Sequence, residues 1–276
     1  MNDDFDEILS PITENQPLSV EQAIANLISP DHGDRYYAAW WLGRFRVRTD
    51  VAVEALIATL LDESDRTPEG GYPLRRNSAR ALGKLGNVQA VPALILCLAC
   101  TDYYVREAAA QSLGGLGDLS CLPMLISLLE GGVEAALPIP NCPHSAQPYD
   151  AVLEALGALG ATQAIALVQP FLKHPMELVQ YAAARAMYQL TGELEYGDIL
   201  INALEGDKLQ LRRAALADIG AIGYLKAAEP VALTLAENSL KLIALKGILE
   251  RQIADTEPLT LSEDTIHVME LMDSLL

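Results

Sequence analysis

Four cysteines and a nearby histidine are the residues of this sequence most suggestive of a metal site. Cys97 and Cys100 are separated by two residues, and Cys121, Cys142 and His144 follow. A zinc site would need four such side chains to converge. Cys97, however, falls on the apolar face of its predicted helix, where cysteine behaves as a small hydrophobic residue. The sequence therefore favours structural cysteines over zinc ligands, and we expect no bound metal.

Arginine and aromatic side chains gather in the first half of the chain and could form a ligand surface. Nine of the 13 arginines lie between Arg35 and Arg106, although the net charge of the chain is −18. Such a concentration can bind an anion, but it can equally form salt bridges between neighbouring structural units. Trp41 either covers one end of the fold or forms the wall of a pocket. Six aromatic residues are candidates for the ligand surface: Tyr36, Tyr37, Trp40, Trp41, Tyr103 and Tyr104.

These residues belong to a repeated sequence unit. The motif Ala-Leu-Gly-x-Leu-Gly recurs, with small variations, at residues 81–86, 112–117, 155–160 and 219–223. Gly83 and Gly114 are 31 residues apart, and Gly157 and Gly220 are 63 residues apart, which leaves room for a degenerate copy near Tyr188. A unit of this size must stack on its neighbours to bury its apolar face. The repeat predicts an all-α fold, an α-solenoid wound as a right-handed superhelix of about six HEAT-like helix pairs with capping helices at both ends.

Within each unit we expect a long helix, which carries the Leu-Gly motif, and a short helix with proline in its first turn. A column of arginines stands near the start of the long helix: Arg35, Arg75, Arg106 and Arg212. In the unit around Gly157 this position is Tyr149. Asp218 occupies a column of small residues, so it needs a charged partner. Arg212 or Arg213 of the same helix, or a partner chain, could supply one.

An insertion breaks the repeat between Gly114 and Gly157, which are 43 residues apart. The extra chain contains four prolines, Cys142 and His144, and it leads directly into Tyr149. A shorter insertion occupies residues 62–71. Insertions in a solenoid collect as loops on one side, often the binding side. The longer insertion is therefore the strongest local indication of a functional site.

Composition excludes two classes of function. Aspartate and glutamate outnumber lysine and arginine 37 to 19, whereas a nucleic-acid binder needs a basic surface. The first residues are acidic, and no apolar run approaches the roughly 20 residues of a membrane span. We expect a cytoplasmic chain whose residues 1–276 form one repeat domain, with an N-terminal arm (1–18), the repeats (19–254) and a C-terminal tail and helix (255–276). The apolar stripe of that last helix either folds back as a cap or docks on another subunit.

A recognition scaffold would be the default function, because the sequence has no nucleophile elbow and no phosphate-binding loop. Its histidines are not followed by glutamate, unlike those of the di-iron HEAT hydroxylases. Two long segments change this interpretation. Residues 34–45 read Asp-Arg-Tyr-Tyr-Ala-Ala-Trp-Trp-Leu-Gly-Arg-Phe, and residues 141–154 read Asn-Cys-Pro-His-Ser-Ala-Gln-Pro-Tyr-Asp-Ala-Val-Leu-Glu. Both resemble the E subunits of the cyanobacterial E/F-type phycobilin lyases, and the similarity extends over residues 15–255.

The resemblance implies an enzyme that works as a heterodimer with a shorter, homologous F subunit. The reaction implied is the attachment of phycocyanobilin, through a thioether, to a cysteine of the phycocyanin α chain. The bilin is then a substrate, and no cofactor is implied. Because the thiol belongs to the acceptor protein, the lyase needs no nucleophile of its own.

The resemblance also suggests roles for individual residues. Asp150 and Glu154 lie one helical turn apart, and a carboxyl group beside the pyrrole nitrogens would favour their protonation. His144 is the candidate base for the incoming thiol. Tyr149 would join the six aromatic residues named above as a surface for the flat bilin. Arginines suit the two propionates, and the candidates are Arg75, Arg76 and Arg106.

Two other functions stay open at this stage. A related lyase-isomerase subunit would also shift a double bond to produce phycoviolobilin. A non-catalytic HEAT-repeat scaffold could instead bind or remove bilins in the phycobilisome. In each case the resemblance places the chain with the phycobilisome and its assembly in the cytoplasm.

Overall fold

The computed structural model describes residues 18–137, 139, 144, 146–254 and 261–276, and all regular structure in these ranges is helical. The α-helices are α1 (Val20–Asn26), α2 (His32–Arg44), α3 (Asp50–Thr59), α4 (Pro73–Leu85), α5 (Val91–Cys97), α6 (Tyr103–Leu116), α7 (Leu122–Ser127), α8 (Gly132–Ala135), α9 (Tyr149–Ala158), α10 (Ile165–Val168), α11 (Glu177–Thr191), α12 (Leu194–Leu204), α13 (Leu209–Ile222), α14 (Ala228–Leu233), α15 (Asn238–Ala254) and α16 (Glu263–Asp273). Short 3₁₀ turns precede α5, α7, α10 and α14, and another follows α10.

Six helix pairs stack one after another within the described residues: α2 with α3, α4 with α5, α6 with α7, α9 with α10, α11 with α12, and α13 with α14. The long helices pack directly against each other in the order α2, α4, α6, α9, α11, α13 and α15. The predicted all-α solenoid of about six pairs is confirmed. The expected prolines also lie in the first turns of short helices, with Pro92 in α5 and Pro123 in α7.

The two glycines of the repeat motif have different tasks. The second one ends the long helix: Gly86 and Gly117 take φ angles of +72° and +75°, a region in which other residues would be strained. The first one lies inside the helix, where a side chain would collide with the next long helix. A Cβ on Gly114 would lie 2.8 Å from the Cα of Ala155, and one on Gly43 would lie 2.8 Å from the Cα of Ala81. Small residues at both sides of this contact let neighbouring long helices touch backbone to backbone.

Both ends of the solenoid carry a covering helix. Ser19 and Gln22 form the capping box that begins α1, as predicted, and α1 packs on α2. At the other end Val268 is fully buried against the terminal repeats, and α16 packs on α14 and α15. The C-terminal apolar stripe therefore folds back as a cap.

Candidate functional site

Two positions of each long helix line one face of the helix row. They precede the contact glycine, such as Gly43 in α2 or Gly157 in α9, by three and seven residues, so they are one helical turn apart and point the same way. From α2 to α9 these positions hold Tyr36 and Trp40, Arg76 and Arg80, Glu107 and Gln111, and Asp150 and Glu154. Ala186 of α11 contacts Gly157 in the same way as Ala155 contacts Gly114. The equivalent of the contact glycine in α11 is therefore Tyr188, two residues after Ala186. The position three residues before Tyr188 is Arg185. We call this surface the long-helix face.

The α2 end of the long-helix face is aromatic. Tyr36 and Trp40 are 40% and 42% exposed, so both rings are open to a ligand. Tyr37 is exposed as well, and its ring stacks on Trp40 with centroids 5.5 Å apart. Trp41 differs, because its half-buried ring packs against Phe45 at 4.7 Å and belongs to the core. Three of the four predicted aromatic residues of this segment therefore form an accessible patch.

The arginine column serves the fold rather than a ligand. Arg35 donates to the carbonyl of Leu27, at the end of α1. Arg75 donates through Nε to the carbonyl of Asp62 at 2.7 Å, and its guanidinium lies over the Tyr72 ring. In the later units the same position donates to other loop carbonyls, with Arg106 bonded to Cys100 and Thr101 and Arg212 bonded to Gly206 and Leu235. Each of these arginines ties down the end of the preceding helix, so Arg75 and Arg106 are poor candidates for a propionate.

Arg76 is the predicted arginine that the fold leaves available. It lies on the long-helix face of α4, with its guanidinium 5.7 Å from the Tyr104 ring centroid. Its buried Nε has no hydrogen-bond partner, and no carboxylate of the described residues forms an ion pair with Arg76. Arg80, one turn later, is paired with Glu107 at 3.3 Å. Arg76 thus offers an aromatic-flanked cation that has no direct ion-pair partner among the described residues, although the charge of Glu107 lies near enough to interact with it.

Three carboxyl groups follow on the next two helices. Glu107 of α6 and Asp150 and Glu154 of α9 are all partly buried, and burial is the main reason that the pKa of each is raised. For Glu154, Arg185 opposes this effect, while the charges of Asp218, Asp150 and Glu107 add to it and bring its pKa to about 7. A carboxyl group that titrates near neutral pH can hold a proton and release it. The predicted pair Asp150 and Glu154 therefore lies in one protonatable cluster with Glu107.

His144 lies close to this cluster. Its ring stacks on Tyr103 with centroids 4.1 Å apart and meets Tyr104 edge-on at 5.9 Å. The pKa of the Tyr103 phenol is raised by burial first and by the charge of Asp150 second. Tyr103 is thus in contact with the His144 ring and under the electrostatic influence of Asp150. This arrangement is consistent with one site that includes all three residues.

The insertion that carries His144 is held at two described points. Arg106 donates to the carbonyl of Ala146 at 2.8 Å. At the start of the insertion the fully buried His174 bonds through Nε2 to the carbonyl of Ala136 at 3.0 Å, while its Nδ1 accepts from the amide of Met176. These bonds fix where the inserted chain leaves and rejoins the solenoid.

Two further predictions need correction. Tyr149 is 3% exposed and packs against Phe171 in the core, so it cannot form part of an open ligand surface. Asp218 pairs with neither Arg212 nor Arg213. Its Oδ1 instead accepts from Nη1 of Arg185, one repeat earlier, at 3.1 Å.

The cysteines follow the structural interpretation where they are described. Cys97 and Cys121 are buried, and burial raises the pKa of the Cys97 thiol to about 12. Cys142 lies outside the described residues. Within those residues no group of three or more histidine, cysteine or acidic side chains could hold a metal ion.

The sequence motifs did not predict three charged residues of the candidate site: Arg80, Glu107 and Arg185. Their signal lies in the repeat itself, because each stands three or seven residues before the contact position of its helix. The helices of the described ranges also include none that is both long and apolar enough to cross a membrane.

Comparison with known proteins identifies the family. Residues 20–114 match the family of HEAT repeats, and residues 105–131 and 179–206 match the PBS lyase HEAT-like repeat. The phycocyanobilin lyase subunit alpha of Nostoc sp. (strain PCC 7120) is 63% identical over 265 residues, which cover 95% of this chain and 96% of that protein. The bilin biosynthesis protein PecE of the same strain is 44% identical over 243 residues, or 88% of this chain and 90% of that protein.

A solved structure agrees with this assignment. It is the complex of CpcE and CpcF of phycocyanin lyase from Nostoc sp. PCC 7120, and one of its chains superposes with a TM-score of 0.89 at 60% identity. The match covers 99% of this chain and 100% of that chain. With such identity over nearly its whole length, the chain belongs to the family of phycocyanobilin lyase alpha subunits.

Proposed function

We propose that this chain is the E-type subunit of a heterodimeric bilin lyase. Together with an F-type partner it attaches phycocyanobilin through a thioether to a cysteine of the phycocyanin α chain, in the cytoplasm, during phycobilisome assembly. Its relatives named as lyase alpha subunits support this function, and so does its likeness to a chain of the CpcE–CpcF complex. The identity to those subunits is also higher than the identity to the bilin biosynthesis protein PecE, which favours assignment as a lyase alpha subunit.

One observation carries the placement of the bilin: the order of chemistry along the long-helix face. The aromatic patch of α2 is followed by the unpaired Arg76 of α4 and then by the carboxyl cluster of α6 and α9. Adjacent packed helices lie about 8–10 Å apart. A flat tetrapyrrole that lies across these helices would meet rings for its faces, a guanidinium for a propionate and carboxyl groups for its pyrrole nitrogens.

The carboxyl cluster supplies the proton chemistry of attachment. The acceptor sulfur forms a bond with the ethylidene carbon, the π electrons of that double bond move into the ring, and one proton is added to the tetrapyrrole. No group leaves, and nothing is oxidised or reduced. Protonation of the pyrrole nitrogens by Glu154, or by Asp150 beside it, makes the ethylidene carbon more electrophilic. The S–H bond of the incoming thiol breaks and His144 accepts its proton, so the two proton transfers, one from the thiol and one to the tetrapyrrole, have separate residues.

The F-type subunit completes the site by covering the bilin. The long-helix face is open, and it leaves much of a flat ligand in contact with water. A second solenoid over this face would exclude water and hold the bilin extended. Phycocyanobilin is a substrate in this scheme, and attachment as proposed requires no cofactor.

The test is attachment by amide variants. Glu154→Gln and Asp150→Asn remove a charge with little change of shape. Each variant is co-expressed with the F-type subunit, phycocyanobilin and the apo-phycocyanin α chain. The proposal predicts that attachment slows by roughly 10²–10⁴-fold in at least one variant. The absorption of the bound bilin should also shift towards that of the unprotonated form.

Glu177→Gln is the matched control, because Glu177 lies on α11 in an exposed ion pair with Lys208. It should attach bilin at the normal rate, and omission of the F-type subunit should lower attachment for every chain. If both amide variants at the site keep normal rates and spectra, the carboxyl cluster has no catalytic role. The site would then reduce to the aromatic patch and Arg76.

A further inference from the structure

A single guanidinium joins three long helices at one edge of the carboxyl cluster. Nη1 of Arg185, on α11, donates to Oε2 of Glu154 on α9 at 3.0 Å and to Oδ1 of Asp218 on α13 at 3.1 Å. Side-chain exposure is 17% for Arg185, 30% for Glu154 and 8% for Asp218. Glu154 thus shares its cation with a carboxylate that is more buried than itself.

Packing does not explain why an acidic residue stands at position 218. The equivalent positions that face an earlier long helix hold Ala81, Ser112, Ala155 and Ala186, whereas α2, the first long helix, has Trp41 there. Each of those small residues faces a contact glycine of the preceding long helix, whereas by the same register Asp218 faces Tyr188, a contact that does not require a carboxylate. Its pairing with Arg185 offsets the cost of burial but adds little net stability, because desolvation opposes the attraction of a buried ion pair, so its presence here calls for a reason other than stability.

The shared geometry has a direct effect on Glu154. A cation beside a carboxyl group favours its ionised form, whereas a second carboxylate opposes ionisation. Arg185 favours the ionised form of Glu154 against the opposing effect of burial, and Asp218 weakens the influence of Arg185 by sharing the same guanidinium. The other charges that face Glu154 are Asp150 on its own helix and Glu107 on α6, and both oppose its ionisation.

We propose that Arg185 and Asp218 are positioning residues that hold the Glu154 carboxyl group in place and balance its charge, so that it carries a transferable proton during bilin attachment. This inference rests on the proposed role of Glu154 as a proton donor. Neither residue touches the bilin in this scheme. Both act through Glu154 from the side of α11 and α13, which is the side away from the aromatic patch.

The test is the pH profile of attachment, measured with the complete heterodimer, phycocyanobilin and the apo-phycocyanin α chain. Because the donor must be protonated, attachment should fall as the pH rises through the titration of Glu154. Asp218→Asn leaves the whole guanidinium to Glu154, so the midpoint of this fall should move to lower pH by about one unit. Arg185→Gln removes the cation, so the midpoint should move by a similar amount to higher pH.

Two more variants keep the outcome interpretable. Asp218→Ala introduces the residue found at equivalent positions of other repeats, so it should fold, and it should shift the midpoint in the same direction as Asp218→Asn. Lys208→Gln breaks an exposed ion pair between the same two helices, Lys208 with Glu177, and it should leave the midpoint unchanged.

The result for Glu154→Gln separates the two proposals. If Glu154→Gln keeps the normal rate and the same alkaline fall, Glu154 is not the donor and the proposed mechanism fails. If Glu154→Gln slows attachment but the Arg185 and Asp218 variants keep the normal midpoint, the mechanism stands and this inference is overturned. The inference is also overturned if the Asp218 variants and Arg185→Gln shift the midpoint in the same direction. Removal of opposite charges should give opposite shifts, whereas a general loss of structure would not.

Discussion

The contact between α6 and α9 can be tested with two neighbouring glycines. Gly114 faces α9, where an added Cβ would lie 2.8 Å from the Cα and 3.1 Å from the Cβ of Ala155. Favourable carbon–carbon contacts are about 3.5–4.0 Å, so the helices would have to separate by roughly 0.5–1 Å. Gly115 is the next residue of the same helix, and nothing lies within 4 Å of its added Cβ.

The two substitutions should therefore change stability in opposite directions. Gly115→Ala should raise the free energy of unfolding by about 0.5–1 kcal/mol, because alanine restricts the unfolded chain and favours the helix. Gly114→Ala receives the same gain but also overpacks the interface, which costs about 1–3 kcal/mol. The measured free energy of unfolding of Gly114→Ala should thus lie about 1–3 kcal/mol below that of Gly115→Ala.

The assay is urea unfolding followed by circular dichroism at 222 nm, with both variants and the natural chain at the same protein concentration. Attachment is measured in parallel, because α6 and α9 carry Glu107, Asp150 and Glu154. Gly114→Ala should reduce attachment by more than its loss of stability explains, since it widens the spacing of the carboxyl cluster. Equal stabilities for the two variants would refute the close backbone contact and, with it, the explanation of the glycine motif.

Two more predictions follow from the surroundings of the site. Arg106→Gln should slow attachment, because it breaks the hydrogen bond to the carbonyl of Ala146 that holds the insertion in place. It should also lower the free energy of unfolding by about 1–3 kcal/mol. Arg212→Gln, at the same column position but without an insertion, should lower stability in urea unfolding while attachment by the folded chain stays normal. Cys97 should react with iodoacetamide far more slowly than Cys100 at pH 8, because burial raises the pKa of its thiol to about 12 and limits access. The labelling of each cysteine is measured by mass spectrometry of the partly labelled folded chain. Equal labelling of Cys97 and Cys100 would contradict this prediction.

Much of the fold could be predicted from the sequence, because the glycines of the repeat motif mark where each long helix ends and where it contacts the next one. The spacing of Gly83, Gly114, Gly157 and Gly220 predicts a long helix at each glycine and a degenerate copy near Tyr188, and the structure has α4, α6, α9, α13 and α11 at these places. The resemblance of residues 34–45 and 141–154 to a lyase family gave the function that the relatives support. These predictions succeeded because they depend on local pattern and on similarity, and neither requires knowledge of contacts between repeats.

The roles of charged residues were harder to predict, because they depend on which helix lies opposite. The sequence predicts that Asp218 pairs with Arg212 or Arg213 of its own helix or with a partner chain, yet its partner is Arg185, 33 residues earlier in the chain. Tyr149 stands at the arginine position of its repeat, but Phe171, in the 3₁₀ turn that follows α10, packs against it and Tyr149 is a core residue. A partner one repeat away is close in space and far in sequence, so motif spacing alone cannot reveal it.

The arginine column shows how repetition and function can be separated in such a chain. Arg35, Arg75, Arg106 and Arg212 recur because four of the repeats share one need, a cation that binds the carbonyls at the end of the preceding short helix. A bilin has no repeat period, so the residues that bind and protonate it should differ from one unit to the next.

The long-helix face meets that criterion, since its two positions change from aromatic in α2 to basic in α4 and acidic in α9. Residue types that repeat at a given position thus indicate packing, whereas positions on one face whose types change indicate the ligand. By this criterion Arg76 is a stronger propionate candidate than its neighbour Arg75. Arg76 has no ion-pair partner among the described residues, whereas Arg75 is bonded to the carbonyl of Asp62. The same criterion places Glu107 in the site, although no motif marks it.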